Sequence, residues 1–305
     1  MNSYSGALLI ACVGFWPLSA TAQQRLPIID MHMHVSRVVL DADGKLIPVP
    51  CDPQPCQGAS AAATSPEDVR RMTLEAMDRY NIVKGLLSGD NLTDLYAWVD
   101  AAPGRFIAGP VVWKPGEPSV EQLRPEYAAG RLAAMGEIGT QYNGISPNDP
   151  LLDPYFALAE ELDLPVLIHT LGFGAHLPGF RVAAGNPVLL ESALVRHPKL
   201  RLYVENTGYP FLSEIIAMMY QYPQLHGDLS TITWIIPRET FHDYLRGLVR
   251  AGLGKRLMFG SDQMQWPETI GRAIEAIESA DFLSPEQKRD IFYNNAARFL
   301  GLGEP

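Results

Sequence analysis

Two histidines separated by a single residue are the clearest chemical signal in the chain. They close the segment from Ile28 to His34, which reads IIDMHMH. Side chains alternate between the two faces of a strand, so His32 and His34 project from one face, about 7 Å apart along the strand. Histidine is the commonest metal ligand, and two imidazoles at that spacing can share one ion. A His-x-His pair also arises by chance, so the metal hypothesis needs further ligands at other strand ends.

Further candidate ligands stand where other predicted strands end. Glu137 closes the fourth strand, His169 the fifth and Asp262 the eighth. Acidic residues are depleted in strands, so a purely structural role explains this placement poorly. Three imidazoles and one carboxylate suit a divalent ion such as Zn²⁺ and leave room for a water molecule.

The elements that must position these residues alternate between strand and helix from Pro27 onward. Hydrophobic patterning and turn residues predict eight strands, at 28–34, 82–87, 106–113, 132–138, 165–169, 200–206, 225–229 and 256–262. Helices are predicted at 65–80, 92–100, 119–129, 153–162, 187–196, 211–222, 238–253 and 268–280, with an extra C-terminal helix at 285–300.

Eight such units favour an α/β fold consisting of a single (β/α)₈ TIM barrel over residues 23–305. A doubly wound open sheet is the rival architecture. It is disfavoured because no Gly-x-Gly-x-x-Gly motif opens a helix after an early strand. In a barrel the active groups come from the C-terminal ends of the strands, which is where the candidate ligands stand.

The first 22 residues predict a signal peptide. An apolar stretch, 6–20, is too short to span a bilayer and ends in Ala20-Thr21-Ala22, a cleavage signal of the A-x-A type. The protein is therefore expected to be exported, to the periplasm or beyond. Residues 9–12 also read as a lipoprotein processing site, which would instead leave Cys12 acylated and anchored.

Composition narrows the range of partners. The net charge is −10, and basic residues do not cluster with aromatic ones, so nucleic acid and anionic membrane surfaces are poor partners. No further stretch of the sequence predicts a membrane span. We expect a small-molecule substrate. Whether the protein forms a homo-oligomer stays open. In an oxidising compartment Cys51 and Cys56 predict a disulfide worth about 2 kcal/mol. A thiolate metal site is the alternative, although two cysteines alone do not make one.

These motifs together resemble the amidohydrolase superfamily, which carries D-x-H-x-H on strand one, His after strand five and Asp after strand eight. The segments MFGSD at 258–262 and NNAARFL at 294–300 are similar to its amidohydrolase-related (amidohydrolase 2) branch, including the aminocarboxymuconate-semialdehyde decarboxylase type. The resemblance implies a metal-dependent hydrolase or non-oxidative decarboxylase on a barrel. It also implies that Asp262 is both ligand and base, and that the other ligands are His32, His34 and His169.

One position departs from the family pattern. Members usually end strand six in a histidine, whereas this chain reads VENTG at 204–208 and places Asn206 there. Asparagine donates a hydrogen bond but does not titrate, so acid-base catalysis by this residue is excluded. Glu205 could substitute only if the strand end bulges, because neighbouring side chains point to opposite faces. This departure favours one ion per chain over two, with Glu137 as a bridging ligand, a weak ligand or a carboxylate that orients substrate.

Loops after the strands supply candidates for substrate binding. His176 and Arg181 lie in the glycine-rich loop after strand five, while Trp113 and Trp266 follow strands three and eight. They could line the pocket mouth. A tryptophan in such a loop packs against neighbouring apolar residues as often as it lines a pocket.

Other polar residues have structural interpretations. His197 precedes strand six and His226 opens strand seven, so both fall at the face opposite the chemistry, and His242 lies among charged residues of a surface helix. Asp228 fits either a pocket residue or a buried hydrogen-bonding one.

The favoured function is therefore metal-dependent hydrolysis. A metal-bound water, its proton taken by Asp262, would attack the carbonyl of an ester, lactone or amide. The alternative is decarboxylation of a small carboxylic acid at the same ion. A third hypothesis is a binding protein that has lost catalysis, with Asn206 as the trace of that loss.

Overall fold

The computed structural model describes residues 25–35, 65–174 and 177–302. The predicted signal peptide, Cys12, the Cys51 and Cys56 pair and His176 lie outside these residues. No helix in the described part of the chain is long and apolar enough to cross a membrane.

Within the described residues, eight parallel strands form two hydrogen-bonded runs, β1 to β3 and β4 to β8. The strands are β1 Ile28–His34, β2 Ile82–Gly89, β3 Phe106–Pro110, β4 Met135–Ile138, β5 Pro165–Ile168, β6 Arg201–Val204, β7 Leu225–Asp228 and β8 Leu257–Met258.

Backbone hydrogen bonds at both seams join the two runs into a closed barrel. Between β3 and β4, the Val112 amide donates to the Glu137 carbonyl at 2.8 Å. Between β8 and β1, the Met31 amide donates to the Phe259 carbonyl, also at 2.8 Å. Because both seams are bridged, the predicted (β/α)₈ barrel is confirmed over the open sheet.

Helices surround the barrel in the predicted order. They are α1 Pro66–Tyr80, α2 Leu92–Ala101, α3 Val120–Ala128, α4 Asp153–Glu161, α5 Glu191–Arg196, α6 Leu212–Gln221, α7 Ile232–Ile235, α8 Arg238–Arg250, α9 Thr269–Glu278, α10 Pro285–Arg289 and α11 Asn295–Leu300. The start of α1 follows from its sequence, since the Ser65 hydroxyl accepts a hydrogen bond from the Asp68 amide and proline takes the first position. Helix α7 was not predicted, because four residues are too few to show a helical period.

The predicted C-terminal helix at 285–300 is divided. A π-helical turn, Asp290–Asn294, separates α10 from α11. Helix α11 then closes the bottom of the barrel, where Arg201 at the start of β6 donates to the Phe299 carbonyl at 2.8 Å. The Phe299 ring packs edge-on against the Tyr203 ring at 5.4 Å, inside the barrel. The chemistry is therefore left to the opposite, C-terminal end.

Strand β6 ends two residues earlier than predicted. It stops at Val204, and the next four residues form a tight turn in which Asn206 (φ 55°) and Thr207 (φ 43°) adopt left-handed backbone conformations. This conformation is disfavoured for residues other than glycine and breaks the alternation of a strand. The expectation that Asn206 occupies the strand end is therefore wrong. Strands β3, β4 and β8 are likewise shorter than the predicted 106–113, 132–138 and 256–262.

Candidate metal centre

The two histidines of β1 face each other at the C-terminal end of the barrel. Their Nε2 atoms are 3.0 Å apart, His32 is fully buried, and the His34 side chain is 14% exposed. The Gln263 side-chain amide holds the backbone of His34 by accepting from its N–H at 3.0 Å and donating to its carbonyl at 2.7 Å. The predicted pair therefore does converge, and the loop after β8 fixes its position.

Asp262 presents one carboxylate oxygen to this pair. Its Oδ1 lies 3.2 Å from Nε2 of His34 and 3.7 Å from Nε2 of His32, while its Oδ2 accepts a hydrogen bond from the Thr231 hydroxyl. Burial opposes ionisation of Asp262, but the nearby charges of His32 and His34 outweigh it and hold the pKa of this carboxyl well below its usual range. Asp262 is therefore ionised at neutral pH.

His169, after β5, lies between two glutamates. Its Nδ1 is 3.0 Å from Oε1 of Glu137 and 2.9 Å from Oε2 of Glu205. Burial lowers the pKa of His169, but hydrogen bonds to the two carboxylates outweigh that effect and raise it to about 9. Glu137 also reaches the histidine pair, with Oε2 3.4 Å from Nε2 of His34. Glu137 therefore connects His169 to β1.

Glu205 entered the sequence analysis only as a conditional substitute for the missing histidine, and the structure places it in the site. It is 1% exposed, and its Oε1 lies 3.5 Å from Nε2 of His32. Burial and the neighbouring charge of Glu137 raise the pKa of Glu205 to about 7. The turn residues Asn206 and Gly208 in VENTG were a signal that the strand ends before them.

The Asn206 side chain takes part in the supporting loop instead. Its Oδ1 accepts hydrogen bonds from the Ser230 hydroxyl at 3.4 Å and the Ile232 amide at 3.3 Å. Its backbone amide donates to Oδ1 of Asp228 at 2.9 Å. These contacts join the turn after β6 to the segment after β7.

Asp228 supports the histidine pair from behind. Its Oδ2 lies 3.5 Å from Nδ1 of His32, and its Oδ1 also accepts from the Ser230 amide at 3.2 Å. A carboxylate beside the far nitrogen of a ligating histidine orients the ring and leaves Nε2 free to bind a metal. Of the two interpretations of Asp228, the structure supports the buried hydrogen-bonding role.

Asp30, one step deeper on β1, holds the backbone. Its Oδ1 accepts from the His32 amide at 3.1 Å and from the Ser261 amide at 2.9 Å, which ties β1 to the segment after β8. Burial raises the pKa of Asp30 to about 7. It lies beneath the imidazoles.

The site contains buried polar atoms that lack hydrogen-bond partners. Among the described residues these include Oδ1 of Asp262, Oε1 of Glu205 and Nε2 of His169. Burying such atoms without a partner costs free energy, so their concentration here indicates a bound group. Ligand atoms within 4.8 Å of one another form two sets: a first ligand group of His32, His34 and Glu137, and a second ligand group of Glu137, His169 and Glu205. Imidazoles and carboxylates are ligands of divalent metals, so the residues fit such an ion.

An aromatic wall lies beside His169. The Tyr142 ring centroid is 4.5 Å from that of His169, 5.4 Å from that of Trp113 and 5.6 Å from that of Phe180. The predicted pocket residue Trp113 is therefore near the site, with its Nε1 donating to Asp90 at 2.6 Å. Tyr142 was not singled out, because it falls in a short turn after β4 with no periodic signal.

The other two described pocket candidates contact residues outside the two ligand groups. Arg181 is exposed, and its guanidinium donates to the Pro178, Gly179 and Phe180 carbonyls. Trp266 is 5% exposed, and its ring packs against that of Trp234 at 6.1 Å.

The chain's family follows from its sequence. Residues 29–302 match the model of a family described as Amidohydrolase. This match spans most of the chain and all eight strands bar the first residue of β1, so the protein belongs to that family.

Individual relatives are distant. The uncharacterized metal-dependent hydrolase YjjV of Escherichia coli strain K12 is 30% identical over 118 residues, covering 37% of this chain and 43% of YjjV. The chain spans less than half the length of the curated relatives it matches.

Several solved structures are similar over nearly the whole chain. An uncharacterized TIM-barrel protein, Bb4693 of Bordetella bronchiseptica, has a TM-score of 0.65 at 18% identity, covering 90% of this chain and 99% of its own. A probable 2-pyrone-4,6-dicarboxylic acid hydrolase of Acinetobacter baumannii has a TM-score of 0.63 at 16% identity, covering 91% and 100%. The 5-carboxyvanillate decarboxylase LigW of Sphingomonas paucimobilis has a TM-score of 0.59 at 16% identity, covering 91% and 100%. At these identities the likeness shows the barrel fold.

Proposed function

We propose that this protein is a metal-dependent hydrolase of small-molecule esters, lactones or amides, with Asp262 as the base. The observation that carries the proposal is the position of Oδ1 of Asp262. This buried oxygen has no hydrogen-bond donor and lies 3.2 Å from Nε2 of His34, at the edge of the first ligand group. It is therefore placed to receive a proton.

The protein's own residues define what each group does. A divalent ion such as Zn²⁺, held by the first ligand group with Asp262 beside it, would lower the pKa of water and polarise a carbonyl oxygen. The Thr231 hydroxyl donates to Oδ2 of Asp262, so Oδ1 is left to face the first ligand group, where it would take the proton of a bound water. The low pKa of Asp262 keeps its carboxylate ionised at neutral pH, as a group that takes a proton from water and passes it to the leaving group must be.

Decarboxylation is the second candidate, favoured by the aromatic wall. The rings of Tyr142 and Phe180 lie next to His169, and that of Trp113 lies against Tyr142, so a planar aromatic acid could stack there. A divalent ion held by the same ligands would bind its carboxylate. The similarity to amidohydrolase barrels that include a hydrolase and a decarboxylase is consistent with either reaction.

The test is a substrate screen with product analysis. Protein purified without chelator is offered esters, lactones, amides and aromatic carboxylic acids, and both acid release and CO₂ are measured. Acid release without CO₂ supports hydrolysis, whereas CO₂ release supports the second candidate. A metal-loaded protein that turns over none of these compounds would indicate the binding-protein hypothesis instead.

Asp262→Asn tests the base directly. The variant keeps an oxygen ligand but cannot accept the proton, so kcat should fall by a factor on the order of 10² to 10⁴ while most of the metal is retained. Elemental analysis and steady-state kinetics on one sample measure both quantities. A near-native kcat would mean that Asp262 is not the base.

A further inference from the structure

The aromatic wall beside His169 is the part of the site that the proposed hydrolysis does not use. Tyr142 is its centre, because its ring contacts those of both Trp113 and Phe180. The rings of Tyr142 and Phe180 in turn contact that of His169, at centroid distances of 4.5 and 6.4 Å. The wall residues follow β3, β4 and β5, so they stand at the end of the barrel where the ligand groups lie.

The wall rings are half-buried, unlike the aromatic rings of the core. Tyr142, Trp113 and Phe180 each keep part of their surface accessible to solvent, whereas Tyr203 and Phe259 are fully buried. Apolar surface that stays in contact with water beside a buried polar site marks a place where a ligand binds. The exposed parts of these rings therefore offer a contact surface to a substrate.

Trp113 brings the wall into contact with the ligand groups. Its indole ring packs against Gly139, where a Cβ atom would lie 2.2 Å from the ring and 3.0 Å from Oε1 of Glu137. Only glycine leaves room for this approach. The indole is held in place because its Nε1 donates to Asp90. A molecule that contacts the wall therefore lies within reach of the carboxylate that both ligand groups share.

Hydrogen bonds fix the wall in the free protein. Gln141, which is buried, donates through its side-chain amide to the Leu171 carbonyl at 2.7 Å and the Arg181 carbonyl at 3.0 Å. It thereby ties the turn that carries Tyr142 to the loop that carries Phe180. Rings that are already held in place lose little conformational entropy when a ligand binds, so they can discriminate between ligands by shape.

The loop around Phe180 indicates that the bound group is uncharged. Residues 170–190 contain no acidic side chain and one basic one, that of Arg181, whose guanidinium donates to three carbonyl groups of its own loop. The loop also exposes two apolar side chains, Leu177 at 47% and Val182 at 53%. A cationic group would find no counter-charge in this segment, and an apolar group would bury apolar surface.

We propose that the aromatic wall binds a planar, uncharged ring of the substrate and that Tyr142 determines this specificity. The substrate class is then an aryl compound whose reacting carbonyl or carboxyl group lies on the ring or close to it. The inference rests on the proposed function and deepens it by naming the substrate class, and it applies to hydrolysis and decarboxylation alike. Stacked and edge-to-face ring pairs strengthen binding by about 2- to 12-fold beyond the burial of area.

The experiment compares two acids that differ mainly in planarity, benzoate and cyclohexanecarboxylate. They carry the same charge and are similar in size, and calorimetry measures the affinity of each for protein purified without chelator. Simple burial of apolar area would favour the cyclohexyl ring, which has more surface. The wild type should instead bind benzoate about 2- to 12-fold more tightly, because only a planar aromatic ring stacks on the wall.

Variants of Tyr142 assign the preference to this residue. Tyr142→Leu should remove most of the preference, whereas Tyr142→Phe should keep it because the ring remains. The matched control is Tyr220→Leu, the same change at a tyrosine of α6 that is 63% exposed, and it should leave the ratio of affinities unchanged. Loss of metal or loosening of the fold would weaken the binding of both acids together, so the ratio reports specificity alone.

Circular dichroism verifies the folding of each variant. Should Tyr142→Leu not fold, Phe180→Leu removes the adjoining ring and should lower the ratio instead. A wild type that binds both acids equally or neither, or a folded Tyr142→Leu that keeps the wild-type ratio, overturns the aryl subsite.

The ratio of affinities does not depend on hydrolysis, so the two proposals fail separately. Hydrolysis by a protein that shows no preference for benzoate would overturn this inference alone. A preference for benzoate in a protein that hydrolyses no ester, lactone or amide would overturn only the proposed reaction.

Discussion

Two clusters of histidine and carboxylate stand at opposite ends of the barrel and are built differently. In the cluster before β6, Nδ1 of His197 lies 3.2 Å from Glu160 and Nε2 lies 3.1 Å from Asp153. Both ring nitrogens therefore have partners, and Arg196 adds a 2.7 Å contact to the same Asp153 oxygen. In the cluster at the strand ends, by contrast, His169 and other buried groups keep atoms without partners.

Exposure explains why the first cluster is complete and the second is not. The Asp153 side chain is 39% exposed, and the hydrogen bond from His197 lowers its pKa, so water and neighbours satisfy its charge. Glu205 is 1% exposed and has no such access. The same residue types thus tie helices α4 and α5 together at one end and form a ligand site at the other. Residue type alone does not separate these roles.

Removing the histidine pair should have the largest effect on metal binding. The double variant His32→Ala with His34→Ala loses two imidazoles of the first ligand group, so bound metal should fall to roughly a tenth of wild type or less and activity with it. Elemental analysis after purification without chelator measures this. A full equivalent of metal retained by the variant would mean that the ion is bound elsewhere.

The next largest effect should be the dependence of metal affinity on pH. In the metal-free protein the pKa of His169 is about 9, so this imidazole carries a proton at pH 7 that an incoming ion must displace. Apparent affinity should therefore rise by about tenfold per pH unit between pH 7 and 9 for each proton released. Calorimetric titrations in buffers of different ionisation enthalpy measure the proton count. Metal binding without proton release would show that the incoming ion does not displace the proton of His169.

Asp228→Asn should have a smaller effect. It leaves every proposed ligand in place but removes the carboxylate behind His32, so metal affinity should fall by about 10 to 100-fold. Competition with a chromogenic chelator measures the affinity. Asp153→Asn, the equivalent change beside His197, is the matched control and should leave affinity unchanged. Equal affinities in wild type and Asp228→Asn would argue that ring orientation is set by packing alone.

His197→Ala should have the smallest effect. It removes hydrogen bonds from a partly exposed cluster, so the free energy of unfolding should fall by about 1 to 2 kcal/mol while metal content and kcat stay at wild-type values. Urea unfolding of the metal-loaded protein measures the first quantity. Loss of metal in this variant would contradict the separation of the two ends.

The sequence alone predicted the barrel and four of the residues that converge at its C-terminal end. Alternation along a strand is a local, two-residue property, so His32 and His34 could be assigned to one face from their spacing. His169 and Asp262 followed because parallel strands bring their carboxyl ends to one edge. Helix starts such as the one capped by Ser65 could also be predicted, since a cap depends on neighbours within a few residues.

Tertiary structure decided which residue after β6 enters the site and how the ligands divide. The left-handed turn at Asn206 and Thr207 is held by Asp228 and Tyr244, which lie far along the chain, so local propensity could not reveal that Glu205 faces His32. The pairing of His169 with Glu137 likewise depends on tertiary structure, because the two residues are distant in sequence. Spacing places a side chain on a face of its strand, but the torsion angles where the strand ends, set by distant contacts, determine which side chain the site receives.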